Sequence, residues 1–207
     1  MAAVDTRRGR IVLTLAHVAG MIDMVALPLW IGTLIQHYGY SAPQAGITVT
    51  LFLVSVAVIS LWLAPRFRRL PRWANASSGF ALAMLAFAIA AVQPVAAESL
   101  PAMMALHAVA GIGVGCALSR THGEIGLSEN PHRLFAVVNI ALGLFAIVFL
   151  GGVPQLIAGF GPKALFTAFA VTMGVAALVA LVAFPNSQPR SRWTQHRRRP
   201  CPALSIS

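Results

Sequence analysis

Residues 46–72 read GITVTLFLVSVAVISLWLAPRFRRLPR: twenty positions from Gly46 to Pro65 carry no formal charge, and four arginines, Arg66, Arg68, Arg69 and Arg72, follow within seven. A helix rising 1.5 Å per residue needs about 20 mostly apolar residues to cross about 30 Å of hydrocarbon. The uncharged run meets that length, and the arginines mark where the chain leaves the bilayer. A strand is excluded, because the run is too long and lacks strict alternation.

Outward from this stretch, which fills Gly46 to Arg66, five more runs have the same character: Ile11 to Leu34, Ala74 to Val92, Leu100 to Ser119, Leu134 to Ile157 and Ala164 to Pro185. The expected architecture is an all-α membrane protein with six transmembrane helices. Residues 1–10 are expected as a cytoplasmic N-terminus, 11–185 as the transmembrane domain and 186–207 as a basic cytoplasmic tail without packed structure. The intervals between runs hold turn-forming residues: Ser41 to Pro43, Pro71, Pro94, Pro131 and Gly161-Pro162. The first run follows Arg7, Arg8 and Arg10, but it is too long for a signal peptide and contains Asp23, so it reads as a retained span.

Composition agrees. With 58% apolar and 10% charged residues, the chain has too little polar surface to cover a water-soluble globule of 207 residues. The formal charge of +10 would suggest nucleic acid in a soluble protein. Here the cations fall between the apolar runs, which points to membrane topology and to no nucleic-acid partner. Cys116 lies in an apolar run and Cys201 in the tail, so no disulfide framework or metal-ligand spacing exists, and neither a metal nor another cofactor is expected.

Lys and Arg resist translocation, so their placement sets orientation. Fourteen of the 15 lie at the N-terminus, the second and fourth intervals and the tail, with Lys163 alone on the other side. Both ends are therefore expected in the cytoplasm, with the bilayer being a plasma membrane, here a bacterial inner membrane. Trp30, Tyr38 and Tyr40 are expected at one interface, and Trp62 and Trp73 at the other.

The polar residues inside the runs are the functional candidates. Asp23 falls near the middle of the first span, where an ionised carboxylate costs about 2.5–3.5 kcal/mol, and such groups usually face a polar cavity as proton carriers or substrate ligands. His107 lies midway along the fourth span and carries a side chain that titrates near neutral pH. Asn139 and Gln155 lie toward opposite ends of the fifth span, where they serve opposite mouths of a pathway or simply bond neighbouring helices. Thr48, Thr50, Ser55 and Ser60 offer the same choice on the second span. His17 points about 120° away from Asp23 on one helix, so a shared site there is not expected. Gly111, Gly113 and Gly115 read as helix-packing positions, since bare backbones approach closely. Pro28, Pro154 and Gly151-Gly152 are candidates for kinks or unwinding.

Six spans with a basic turn after the second and a Gly-rich fourth resemble the N-terminal half of a major facilitator superfamily transporter, over residues from about 11 to 185. The family's turn between spans two and three reads G-x-x-x-D-R-x-G-R. Against it, Leu61 to Arg69 place Arg66 and Arg69 at the basic positions, while Leu61, Pro65 and Arg68 replace Gly, Asp and Gly. Arg66 and Arg69 thereby become gating-loop candidates. The fourth-span pattern R-x-x-Q-G-x-G is matched by Gly111 and Gly113, with His107 at the arginine position and Ala110 replacing Gln. The resemblance thus lends His107 a position associated with proton coupling. Asn130 to Arg133 resemble the turn into span five, and Gly161 to Phe166 the start of span six. The fifth-span antiporter motif is only echoed, by Gly143, Gly151, Gly152 and Pro154, so exchange is not inferred.

The resemblance implies a 3+3 helix repeat and one half of a twelve-span protein whose solute site lies between halves. Three readings follow. The first is a secondary active transporter, or half of one, moving a small organic solute by alternating access with proton coupling, completed by a homodimer or a second six-helix half. The second is a truncated, transport-inactive fragment. The third is an intramembrane enzyme using Asp23, His17 and His107, for which no nucleophile or metal motif is present; the chain is read as no enzyme.

Overall fold

The computed structural model describes residues 3–66, 72–92 and 99–185, with side chains except at 72–75. Among the described residues, seven α-helices follow in order: α1 Arg7–Gly20, α2 Ile22–Gln36, α3 Ala42–Leu63, α4 Arg72–Val92, α5 Leu100–Gly126, α6 Pro131–Phe160 and α7 Lys163–Ala183. Single 3-10 turns cover Ala3–Asp5 and Ala64–Arg66. No strand occurs among the described residues. The first two helices are the halves of one span, giving six. Among the described residues, five segments are long and apolar enough to cross a membrane, and Ala76–Val92 is a shorter apolar helix.

The helix starts follow from the sequence. Thr6 caps α1 by accepting from the Gly9 N–H at 3.0 Å. Ser41 and Gln44 form a reciprocal capping box on α3. Asn130 accepts from the Arg133 N–H at 3.1 Å at the head of α6. Pro43, Pro101 and Pro131 sit in first turns, where a missing N–H costs nothing. Pro43 and Pro131, expected in turns, therefore lie in the first turns of helices.

Several boundaries differ from expectation. The first span begins at Arg7 rather than Ile11 and is interrupted at Met21, whose backbone leaves helical geometry at φ −104°, ψ 21°. Gly20, a weak helix former, stands just before this break and faces Leu118 of α5, where a β-carbon would lie 2.6 Å from the Leu118 side chain. Neither Pro28 nor Pro154 interrupts its helix, and Gly151-Gly152 stays helical within α6. The fourth span runs on to Gly126, so Arg120 is not a loop cation but a buried helix residue. The fifth spans 30 residues from Pro131. Arg68, Arg69, the 93–98 interval with Pro94, Pro71 and the tail at 186–207 lie outside the described residues, as does the Trp73 side chain.

Helix α5 is the hub, packed on α3, α4 and α1; α4 also packs on α7, and α1 on α6 and α7. Glycines set the closest crossings. A β-carbon at Gly113 would stand 2.5 Å from the Gly79 carbonyl of α4, and one at Gly79 would stand 2.5 Å from the Gly113 carbonyl. On another face of α5, a β-carbon at Gly111 would strike the Phe52 carbonyl of α3, and one at Gly115 would lie 2.7 Å from the Val56 carbonyl. Helices gain little from burying one apolar surface against another in lipid, so this close dispersion contact holds the bundle. The outer members are α3 and α6, with 22% and 17% of their apolar windows buried against 50% for the first span and for α5.

Candidate functional site

At the centre of the bundle, α2 and α5 meet through Trp30 and His107, both fully buried. The Trp30 indole N–H donates to His107 Nε2 at 3.0 Å. An indole can only donate, so Nε2 accepts and the ring proton sits on Nδ1, 2.8 Å from the Met103 carbonyl. Both nitrogens of a neutral imidazole are thus used within the protein. Phe52, Phe87, Phe166 and Phe169 surround the pair, with centroids 5.2, 5.9 and 4.9 Å from Trp30 for Phe52, Phe87 and Phe169, and Phe166 5.6 Å from His107. The expected interfacial position of Trp30 is therefore overturned: its hydrogen bond to His107 lets the polar N–H enter the core, which an unpartnered indole could not do without cost.

Asp23 lies elsewhere. It occupies the first turn of α2, directly after the break at Met21, where the free N–H groups of a helix start favour a negative charge. The carboxylate is partly exposed, beside Met24, which is 68% exposed. Asp23 and His107 therefore occupy different environments, one partly exposed and one sealed. The polar neighbours of Asp23 that a sequence can reveal are few, because a helix break creates donors from backbone alone.

Farther along α2, a cleft of about 440 Å³ opens against α6, lined by residues that include Pro28, Gly32, Thr33, Gln36 and Pro154. Gln155 is exposed next to Pro154. Asn139, also exposed, donates to the Phe135 carbonyl of its own helix at 2.8 Å. Around these amides, β-carbons built at Gly143, Gly151, Gly152 and Gly159 would meet nothing within 4 Å. The exposed side of α6 is thus mostly apolar, with Ile140, Ile147, Val148 and Phe160 exposed on it, and the two amides and the uncovered glycines are interspersed along it; at Gly111, Gly113 and Gly115 of α5, by contrast, neighbouring helices take the space.

With this geometry in place, comparison with known families is decisive: the family model described as Major Facilitator Superfamily matches residues 12–205. The chain belongs to the major facilitator superfamily. No curated protein and no solved structure gives a significant match. Membership makes it a multi-pass membrane protein with a transporter-type function in general, and the six spans are those of one superfamily half.

Of the superfamily turn candidates, Arg66 donates to the Trp62 carbonyl at 2.8 Å and its guanidinium lies 4.4 Å from the Trp62 ring centroid. Arg69 falls outside the described residues. The structure also joins residues far apart in sequence. His17 Nδ1 lies 3.1 Å from His122 Nε2, linking α1 to α5. Asp5, in the segment preceding the first span, is buried and accepts from the Glu129 N–H at 3.0 Å. The cap signal in Thr6 to Gly9 marks the early helix start, but nothing in the sequence pairs Asp5 with a turn 124 residues away.

Proposed function

We propose that this chain is a six-helix half of a secondary transporter that moves a small organic solute by alternating access, with Asp23 as its proton-carrying or solute-binding group. The observation that supports this most is the set of amides and uncovered glycines set into the exposed, otherwise apolar side of α6. Asn139, Gln155 and four uncovered glycines stand there on a helix whose apolar window is only 17% buried. Amides and bare backbone are poor partners for lipid and good ones for another helix or a hydrated path. A second copy or a second six-helix half covers this side, and the cleft between α2 and α6 lies on the path. The placement of α2 agrees, since discontinuous helices present charged or polar termini at superfamily-type solute sites. His107 serves as a neutral link between spans rather than as the proton carrier.

Orientation is part of the proposal. The starts of α1 and α6 and the ends of α5 and α7 share one end of the bundle, where Arg8 donates to the Val182 carbonyl at 3.3 Å. That end carries Arg7, Arg8, Arg10 and Arg133 and faces the cytoplasm, the membrane being a bacterial inner membrane.

Reconstituted into liposomes and screened against a solute panel, the protein is expected to show uptake that a pH gradient accelerates. Asp23→Asn is expected to reduce that uptake to the gradient-free level while helix content stays the same. Absence of flux from every oligomer, or unchanged gradient dependence in Asp23→Asn, refutes the reading. A second measurement concerns α6. Gly151→Leu, placed where no neighbour stands, is expected to change bundle stability by no more than about 0.5 kcal/mol yet to abolish uptake and weaken association.

A further inference from the structure

A second cavity, of about 310 Å³, lies at the arginine-rich end of the bundle between the start of α1 and the turn from α5 to α6. Asp5, Arg10, Ser128, Glu129, Asn130 and Arg133 supply its polar lining. Two of these are buried with unused polar atoms. Asp5 is 4% exposed, and while Oδ1 accepts from the Glu129 N–H, Oδ2 has no hydrogen-bond partner among the described residues. Ser128 is 9% exposed, and its Oγ likewise has none. A buried carboxylate oxygen without a donor is costly, and Arg10 and Arg133, which line the same cavity, do not supply the bond.

The lining carries both signs of charge. A purely anionic ligand would meet the Asp5 and Glu129 carboxylates, and a purely cationic one would meet two guanidiniums. A phosphate linked to a primary ammonium satisfies both: guanidiniums bind phosphate through paired N–H groups, and an ammonium donates to a carboxylate and a hydroxyl. The remaining wall is apolar. Leu134 and Val137 complete it, and Ile140 and Leu144, 65% and 62% exposed, continue the apolar surface along α6. We propose that this cavity binds a phosphoethanolamine group, with the ammonium on Asp5 and Ser128 and the phosphate on Arg10 and Arg133. The group is that of an aminophospholipid head or of its free, soluble counterpart. The site stands independently of the transport reading.

The test is lipid retention by the full chain in detergent, measured by native mass spectrometry with phosphatidylethanolamine, phosphatidylcholine and phosphatidylglycerol of the same acyl chains. Trimethylation leaves the positive charge but removes the N–H donors, so phosphatidylethanolamine is expected to bind about tenfold more tightly than phosphatidylcholine. Asp5→Asn and Ser128→Ala are each expected to shrink that ratio toward one, and Arg10→Gln with Arg133→Gln to weaken retention of all three lipids. Soluble glycerophosphoethanolamine is the distinguishing arm: effective competition assigns the free group, and its failure assigns the lipid. Equal retention of phosphatidylethanolamine and phosphatidylcholine by the unmodified protein overturns the proposal, as does preference for phosphatidylglycerol or undiminished discrimination in Ser128→Ala. The comparison among lipids on the unmodified protein decides the matter even if Asp5→Asn does not fold.

Discussion

Gly113→Leu is expected to yield no folded protein, whereas Gly143→Leu is expected to purify with the stability of the parent. Both positions are glycine within apolar helices, but only Gly113 reads as a packing position in the sequence. At Gly113 even a β-carbon would stand 2.5 Å from the Gly79 carbonyl and 2.9 Å from the Ala83 nitrogen. Those are backbone atoms and cannot swing aside, so α4 and α5 must separate. Alanine there is expected to cost about 1–3 kcal/mol, the range for overpacking a well-filled core, and leucine more. At Gly143 the same β-carbon meets nothing. The yield of folded Gly113→Leu against Gly143→Leu, and thermal unfolding of purified Gly113→Ala and Gly143→Leu followed by circular dichroism, measure the difference. Equal stability of Gly113→Leu and Gly143→Leu would contradict the assignment of α5 as the closely packed hub.

Trp30→Ala is expected to destabilise the bundle by about 3–5 kcal/mol, the range for removing a large buried aromatic side chain. The indole is fully buried and touches rings from α3, α4 and α7 as well as His107 of α5, so its loss leaves a void at the meeting point of five helices. Trp30→Phe separates the two contributions. Phenylalanine keeps an aromatic ring but leaves His107 Nε2 buried without its donor, at about 1–3 kcal/mol. His107→Phe in the same background removes the orphaned acceptor, and the double variant is expected to recover part of the loss. A double-mutant cycle on unfolding free energies reads the coupling directly. If the two substitutions prove additive, the hydrogen bond does not link the spans.

The helical class was legible because bilayer thickness dictates run length. The chain from Gly46 to Arg66 can be assigned from its own residues, since no distant partner is needed to make twenty uncharged residues a span. Helix ends were less legible. Pro131 reads as a breaker in isolation, yet with Asn130 capping it starts a helix of 30 residues. Arg120 reads as a loop cation by the same logic that counts charges between apolar runs, but α5 continues past it and buries it. Asp23 was found as an acid within an apolar run, though its place in the first turn after a helix break is seen only in the folded backbone.

By itself, then, the sequence determined the six apolar spans, the arginine-rich end and the turns that carry the family resemblance, all properties of short segments measured against a bilayer of fixed thickness. Tertiary structure alone decided which side of each span is covered. It set Gly113 against Gly79 while leaving Gly143 open, sealed Trp30 on His107 and brought Asp5 to Glu129. The physical reason is that in lipid a residue's apolarity no longer distinguishes inside from outside, so hydrophobic periodicity, the usual guide to a buried face, falls silent.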